Sequence, residues 1–157
     1  MELVSHLNVK YSFSKRPQYY SPDLNVERGI SILVLILRIC CRSNRSSYQR
    51  IQVLNWVVKN KSSREEFINF LKSPSILNTV IIRHEPWLNR TIDIAIGEGI
   101  VEVSNGKNIA LTELGVNFAT EIINSKLFIP EREFLMKVKK TATEKKLEEL
   151  IKLVSDL

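Results

Sequence analysis

The sequence predicts a mainly helical α+β domain carrying one small β-hairpin. Three observations predict it. Apolar residues recur at helical spacing through most of the chain. Asn105-Gly106 separates two short β-prone segments and is the strongest local hairpin signal present. Ser63–Glu66 and Thr141–Glu144 have the Ser/Thr-x-x-Glu spacing of capping boxes, which open helices.

Residues 1–25 form an arm. Tyr11, Phe13, Tyr19 and Tyr20 are interleaved with Lys10, Lys15 and Arg16, and Pro17 and Pro22 disfavour regular structure around them. Two readings are open: the aromatic residues pack on their own domain, or they dock on a partner or stack on nucleic-acid bases. The first is preferred, because aromatic side chains gain most from burial. The domain proper spans residues 26–125, and residues 126–157 are a C-terminal helical segment.

The first helix follows Pro22-Asp23, with Asp23 as its N-cap, and runs to about Cys41. From Ile30 it is apolar nearly all round, the mark of a helix central to a core. Its β-branched residues also fit a buried strand; length favours helix. Gly29 is a mild cost near its start. Arg42–Ser47 reads as a polar loop. A second helix, Tyr48 to Asn60, carries Ile51, Leu54, Val57 and Val58 on one face. A third runs from the capping box at Ser63 to Lys72 with Phe67, Ile68, Phe70 and Leu71, and Ser73-Pro74 ends it. Thr79–Arg83 reads as a short strand. Pro86 suits the first turn of a helix covering Trp87 to about Glu98, with Leu88, Ile92, Ala95 and Ile96 inward and Gly97 and Gly99 at its end. The hairpin pairs Ile100–Val103 with Asn108–Leu111. Thr112 caps a helix containing Leu114, Phe118, Ile122 and Ile123. One or two more helices follow Pro130. The last opens at Thr141–Glu144 and carries Leu147, Leu150, Ile151 and Val154.

Composition bounds the function classes. At 157 residues with 44% hydrophobic content, the chain is large enough to bury one core without disulfides or metals. Its longest apolar stretch is interrupted by Arg38 and falls short of the ~20 residues a membrane span needs. The N-terminal stretch from Met1 lacks a signal peptide's cationic start and long apolar core. The two cysteines, adjacent at Cys40 and Cys41, make no disulfide framework. A cytoplasmic protein that does not engage a membrane is expected.

Enzyme readings find little support. His6 and His84 are the two histidines, and His84-Glu85 is at most half a metal site. Cys40-Cys41 sit in the most apolar segment, where a thiolate is costly. No Gly-rich phosphate loop is present. The expectation is a non-enzymatic protein with no catalytic residue, no metal and no cofactor.

Charge is asymmetric. Residues 1–64 carry eleven basic and three acidic side chains, whereas residues 65–157 carry twelve and fourteen. The basic pole suits a polyanion or an acidic protein surface. Within it Arg38, Arg42, Arg45 and Arg50 form a cluster, and the planar guanidinium fork serves phosphate and carboxylate alike. Taken singly, Arg38 and Arg42 are also explained as compensation of a helix C-terminus.

Helices, a short strand, a further helix, a hairpin and a closing helix are the element order of a winged helix, with the hairpin as wing and the preceding helix in the recognition position. That helix offers Trp87, Asn89 and Arg90 but also Asp93 and Glu98, and the wing tip adds only Lys107. Phosphate repels the carboxylates, so the face is poor for duplex reading. Trp87 is better explained as an apolar anchor of its helix. A winged helix used for protein docking is preferred, and a DNA-binding transcriptional regulator is the alternative.

Several segments together resemble a family. They are Arg50–Trp56, Arg64-Glu65-Glu66-Phe67, Pro86–Thr91, Asp93–Gly99, Ile109–Gly115, Glu133-Phe134-Leu135 and Thr143–Leu150. This series, over roughly residues 26–155, resembles the small middle components of bacterial three-component systems built on an ABC ATPase, of which Lamassu-type anti-phage defence is an example. The resemblance implies a non-enzymatic accessory subunit. It would bind an SMC- or Rad50-like ATPase near its heads or coiled-coil neck, help the complex engage foreign DNA, and restrain or release an effector subunit. It implies no catalytic residue, and DNA would be met through the complex.

Overall fold

The computed structural model describes residues 25–73 and 85–155. The aromatic arm with Asp23, the strand expected at Thr79–Arg83, and both histidines lie outside the described residues. The described part is mainly helical, with seven α-helices and a small three-stranded antiparallel sheet.

Helix α1 spans Val26–Cys40 and is the centre of the molecule. Asn25, not Asp23, caps it: its Oδ1 accepts the Arg28 N–H at 3.0 Å, and Glu27 in the first turn complements the positive end of the helix. The segment 30–41 is helix and not strand up to Cys40. Every residue from Ile30 to Leu37 is buried, because α1 is covered on several sides at once by α2 (Tyr48–Lys59), α4 (Pro86–Gly97), α5 (Glu113–Asn124), α6 (Ile129–Val138) and strand β3 (Asn108–Leu111). A helix apolar all round is stable in water only with such a sleeve.

A 3-10 turn at Arg42–Asn44 leads into strand β1, Arg45–Ser47. The sequence reading gives a loop here, and the difference is physical. Arg-Ser-Ser has no strand propensity of its own; it is extended because it pairs with β3, Ser46 opposite Ile109. The sheet order is β1-β3-β2, with β2 at Val101–Ser104. Between β2 and β3, Asn105 and Gly106 both have positive φ (53° and 68°), and Lys107 N–H donates to Ser104 C=O at 3.3 Å. These are the conformations for which Asn-Gly is suited.

Helix α3, Lys61–Lys72, starts two residues before the expected capping box. Asn60 separates it from α2, Ser63 falls inside it, and the carboxylate of Glu66 accepts from Ser62 Oγ at 3.0 Å. Phe67 and Phe70 are buried, with Phe67 also edge-on to Phe134 of α6 at 6.2 Å between ring centroids. Helix α4 begins at Pro86 as expected, but its inner face is Leu88, Thr91, Ile92 and Ala95. Ile96, expected inward, is exposed, because the inward stripe ends at Ala95 and the last two residues of the helix run past it. In α5, Thr112 accepts the Gly115 N–H at 3.1 Å. Leu114 is exposed, and Gly115, Ala119 and Ile122 take the buried stripe. A Cβ on Gly115 would lie 2.1 Å from the Ile100 carbonyl oxygen, so only glycine lets α5 press against the chain entering the hairpin.

Helix α7 spans Glu144–Ser155 and is capped by Thr143, whose Oγ1 accepts the Lys146 N–H at 3.4 Å. Thr141, the expected first residue of the capping box, instead donates its hydroxyl to the Val138 carbonyl. Leu147 and Leu150 are buried, Ile151 is half-buried, and the side chain of Val154 lies outside the described residues. Phe134, Leu135, Val138, Leu147 and Leu150 belong to the same apolar core as α1 and α2. Arg28 reinforces the α1–α6 contact with an ion pair to Glu131 at 3.4 Å, its guanidinium 5.8 Å from the Phe128 ring centroid. Among the described residues no helix is long and apolar enough to cross a membrane.

Candidate anion-binding cleft

The four clustered arginines do different things. Arg38, in the last turn of α1, is exposed, and its Nη1 donates to Asn44 Oδ1 at 3.2 Å, so it holds the turn that follows the helix. Arg50 lies in the first turn of α2. Its Nη2 donates to the Cys40 carbonyl at 2.9 Å, occupying one of the acceptors left free at the end of α1. Its Nε is buried without a partner. Arg42 and Arg45 are exposed.

Arg42, Arg45 and Arg50 line one open cleft of about 690 Å³, and Lys139 joins them from the link between α6 and α7. Arg38 does not line it. The cleft lies where β1, the start of α2 and the start of α7 meet. Ser46 is also in its wall, 3% exposed, with its hydroxyl turned to the Cys41 thiol. Four cations face one carboxylate among the described lining residues, Glu144, whose Oε1 accepts the Ser47 N–H at 3.1 Å. Lys139 is the residue sequence reasoning missed. It is far from the arginines in sequence, and only the packing of α6 and α7 on α1 and α2 brings it to them.

Cys40 and Cys41 are buried next to this cleft. Burial pushes the Cys40 thiol up to about 12, Cys41 adding to the rise and Arg50 and Lys139 opposing it. Burial also raises Cys41, against the opposing pull of Arg50 and Ser46. Both are protonated thiols at neutral pH, and Cys40 Sγ donates to the Leu135 carbonyl at 3.3 Å. Neither has the depressed pKa of a nucleophile.

The helix in front of the hairpin is engaged elsewhere. Asn89 accepts a hydrogen bond from the Tyr48 hydroxyl, which pins α4 to the start of α2. Glu85 accepts from Asn55 Nδ2 at 3.0 Å and from Lys59 Nζ, pinning the other side of the same junction. Arg90 lies 6.0 Å from the Trp87 ring centroid. Trp87 is half-buried, with its indole N–H buried and unpartnered. What α4 leaves to solvent is mainly Asn89, Arg90, Asp93, Ile96 and Glu98. Val103 on β2 and Leu114 at the start of α5 are two further exposed apolar side chains. Among the described residues no group of three or more His, Cys, Asp or Glu is placed to hold a metal ion. Tyr11, Phe13, Tyr19 and Tyr20 lie outside the described residues.

Compared with models of protein families, with curated proteins and with solved structures, the chain matches none.

Proposed function

We propose that the protein is a winged-helix-like, non-enzymatic assembly subunit that binds an SMC- or Rad50-like ABC ATPase and couples DNA engagement by that complex to control of an effector. The strand order β1-β3-β2, with β1 between the first two helices and the hairpin after α4, supports the winged-helix part of this reading. The observation that carries the assembly part is the outer face of α4. A duplex reader needs free polar and cationic side chains there. Instead Asn89 is bonded to Tyr48, Arg90 stacks against Trp87, and Asp93 and Glu98 repel phosphate. Exposed Ile96, Val103 and Leu114 suit a protein surface better than a groove of DNA. The resemblance of residues 26–155 to middle components names the partner.

The test is co-expression of the tagged full chain with its neighbouring genes, with co-elution of a long coiled-coil ATPase as the readout. Co-elution at fixed stoichiometry is expected, and Val103→Glu with Leu114→Glu should abolish it while leaving the circular dichroism spectrum unchanged. A parent protein that captures no ATPase, yet binds one duplex sequence in preference to others, would replace this reading with the transcriptional regulator.

A further inference from the structure

The cleft between β1, α2 and α7 has the parts of an oxyanion site, a feature independent of whether an ATPase is the partner. Arg42, Arg45, Arg50 and Lys139 converge on it against one carboxylate among the described lining residues, Glu144. One buried donor there lacks an acceptor, the Nε of Arg50. An unpartnered buried donor costs free energy that a ligand oxygen recovers. The N-terminus of α7 also opens at the cleft, through Thr143-Glu144, and brings the positive end of a helix dipole. Glu144 already behaves as an internal anion there, accepting the Ser47 N–H.

We propose that this cleft binds phosphate groups, those of a nucleic-acid backbone. An excess of three positive charges suits phosphates better than a single carboxylate. Among the described residues the lining has no aromatic side chain and little apolar wall, so none of them stacks a base or encloses an apolar ligand. Binding is therefore insensitive to base sequence and is governed by salt. Glu144 competes with the incoming phosphate for the same donors and sets the affinity.

Fluorescence anisotropy of the full chain with a labelled duplex of arbitrary sequence, over a salt series, tests this. Arg45→Ala with Lys139→Ala should weaken binding at least ~10-fold and flatten the dependence of log K on log salt by about two, one for each lost phosphate contact. Glu144→Gln should tighten binding several-fold, an effect that a merely damaged fold does not produce. Tripolyphosphate should displace the duplex from the parent but bind more weakly than it. Tripolyphosphate binding tighter than the duplex would reassign the source to free polyphosphate and overturn the nucleic-acid assignment. So would a poly-glutamate peptide of equal charge binding as well as the duplex. Absence of salt-dependent duplex binding, or binding lost in Lys107→Ala but kept in the cleft double variant, would overturn the site.

Discussion

Arg50 and its neighbours Arg42 and Arg45 are the same residue type within nine positions, yet their contacts assign them different work. Arg50 closes the end of α1 through the Cys40 carbonyl, whereas Arg42 and Arg45 are exposed on the cleft rim. Arg50→Met should therefore destabilise the fold by about 1–3 kcal/mol in urea denaturation. Arg42→Ala and Arg45→Ala should each stay within about 0.5 kcal/mol of the parent, the usual range for surface positions. The cysteines predict a pH dependence. Burial raises the Cys40 thiol to about 12 in the folded chain, from an ordinary value of 9.0. The folded state thus holds its proton where the unfolded state has released it. The resulting stability is fully present below about pH 9 and is lost as the pH climbs towards 12. Denaturation midpoints measured from pH 7 upwards should fall above pH 9, and Cys40→Ala with Cys41→Ala should reduce that fall. The arginine cluster was legible as four nearby cations in the sequence. The division between structural and available members was not, because it depends on which carbonyl each guanidinium meets.

Between elements, the crossing of α1 over α4 is set by a glycine. A Cβ on Gly29 would sit 2.9 Å from Thr91 Oγ1 and 3.1 Å from its Cγ2. Thr91 cannot easily give way, being 2% exposed and bonded through Oγ1 to the Trp87 carbonyl at 3.0 Å. Gly29→Ala should thus cost about 1–3 kcal/mol despite the better helix propensity of alanine. Against a Thr91→Ala background the same change should be neutral or stabilising, and a double-mutant cycle by chemical denaturation measures the coupling. From the sequence alone Gly29 reads as a small penalty in a helix, since its reason lies sixty residues away in another helix. The elements that sequence did reveal have local causes: Pro86 at the head of α4, Thr112 capping α5, and Asn105-Gly106 in the hairpin. Those it misplaced have non-local ones. Strand β1 exists through its pairing with β3, and Ile96 and Leu114 are exposed because the apolar period continues past the surface that covers it.

For the molecule as a whole, α1 is the hub, touched by helices from both the middle and the end of the described chain. Phe134, Leu135 and Val138 of α6 share one core with it, and Leu147 and Leu150 of α7 complete that core against α2. A chain ending at residue 125 would leave this surface bare. It should bind an environment-sensitive apolar dye and lose cooperative thermal unfolding, while the full chain melts in one transition. An apolar helix at the centre was legible in the sequence, and which later segments enclose it was not. The same arrangement governs synthesis on the ribosome. The stretch from Ile30 to Leu37 emerges early, whereas the α5 and α6 surfaces that cover it are roughly a hundred residues downstream, about 5–20 s later at ordinary elongation rates. For that interval the greasiest part of the protein has only α2 and then α4 to cover it, so the nascent chain is a natural client for a holding chaperone, and its yield should depend on translation speed more than on the stability of the finished fold.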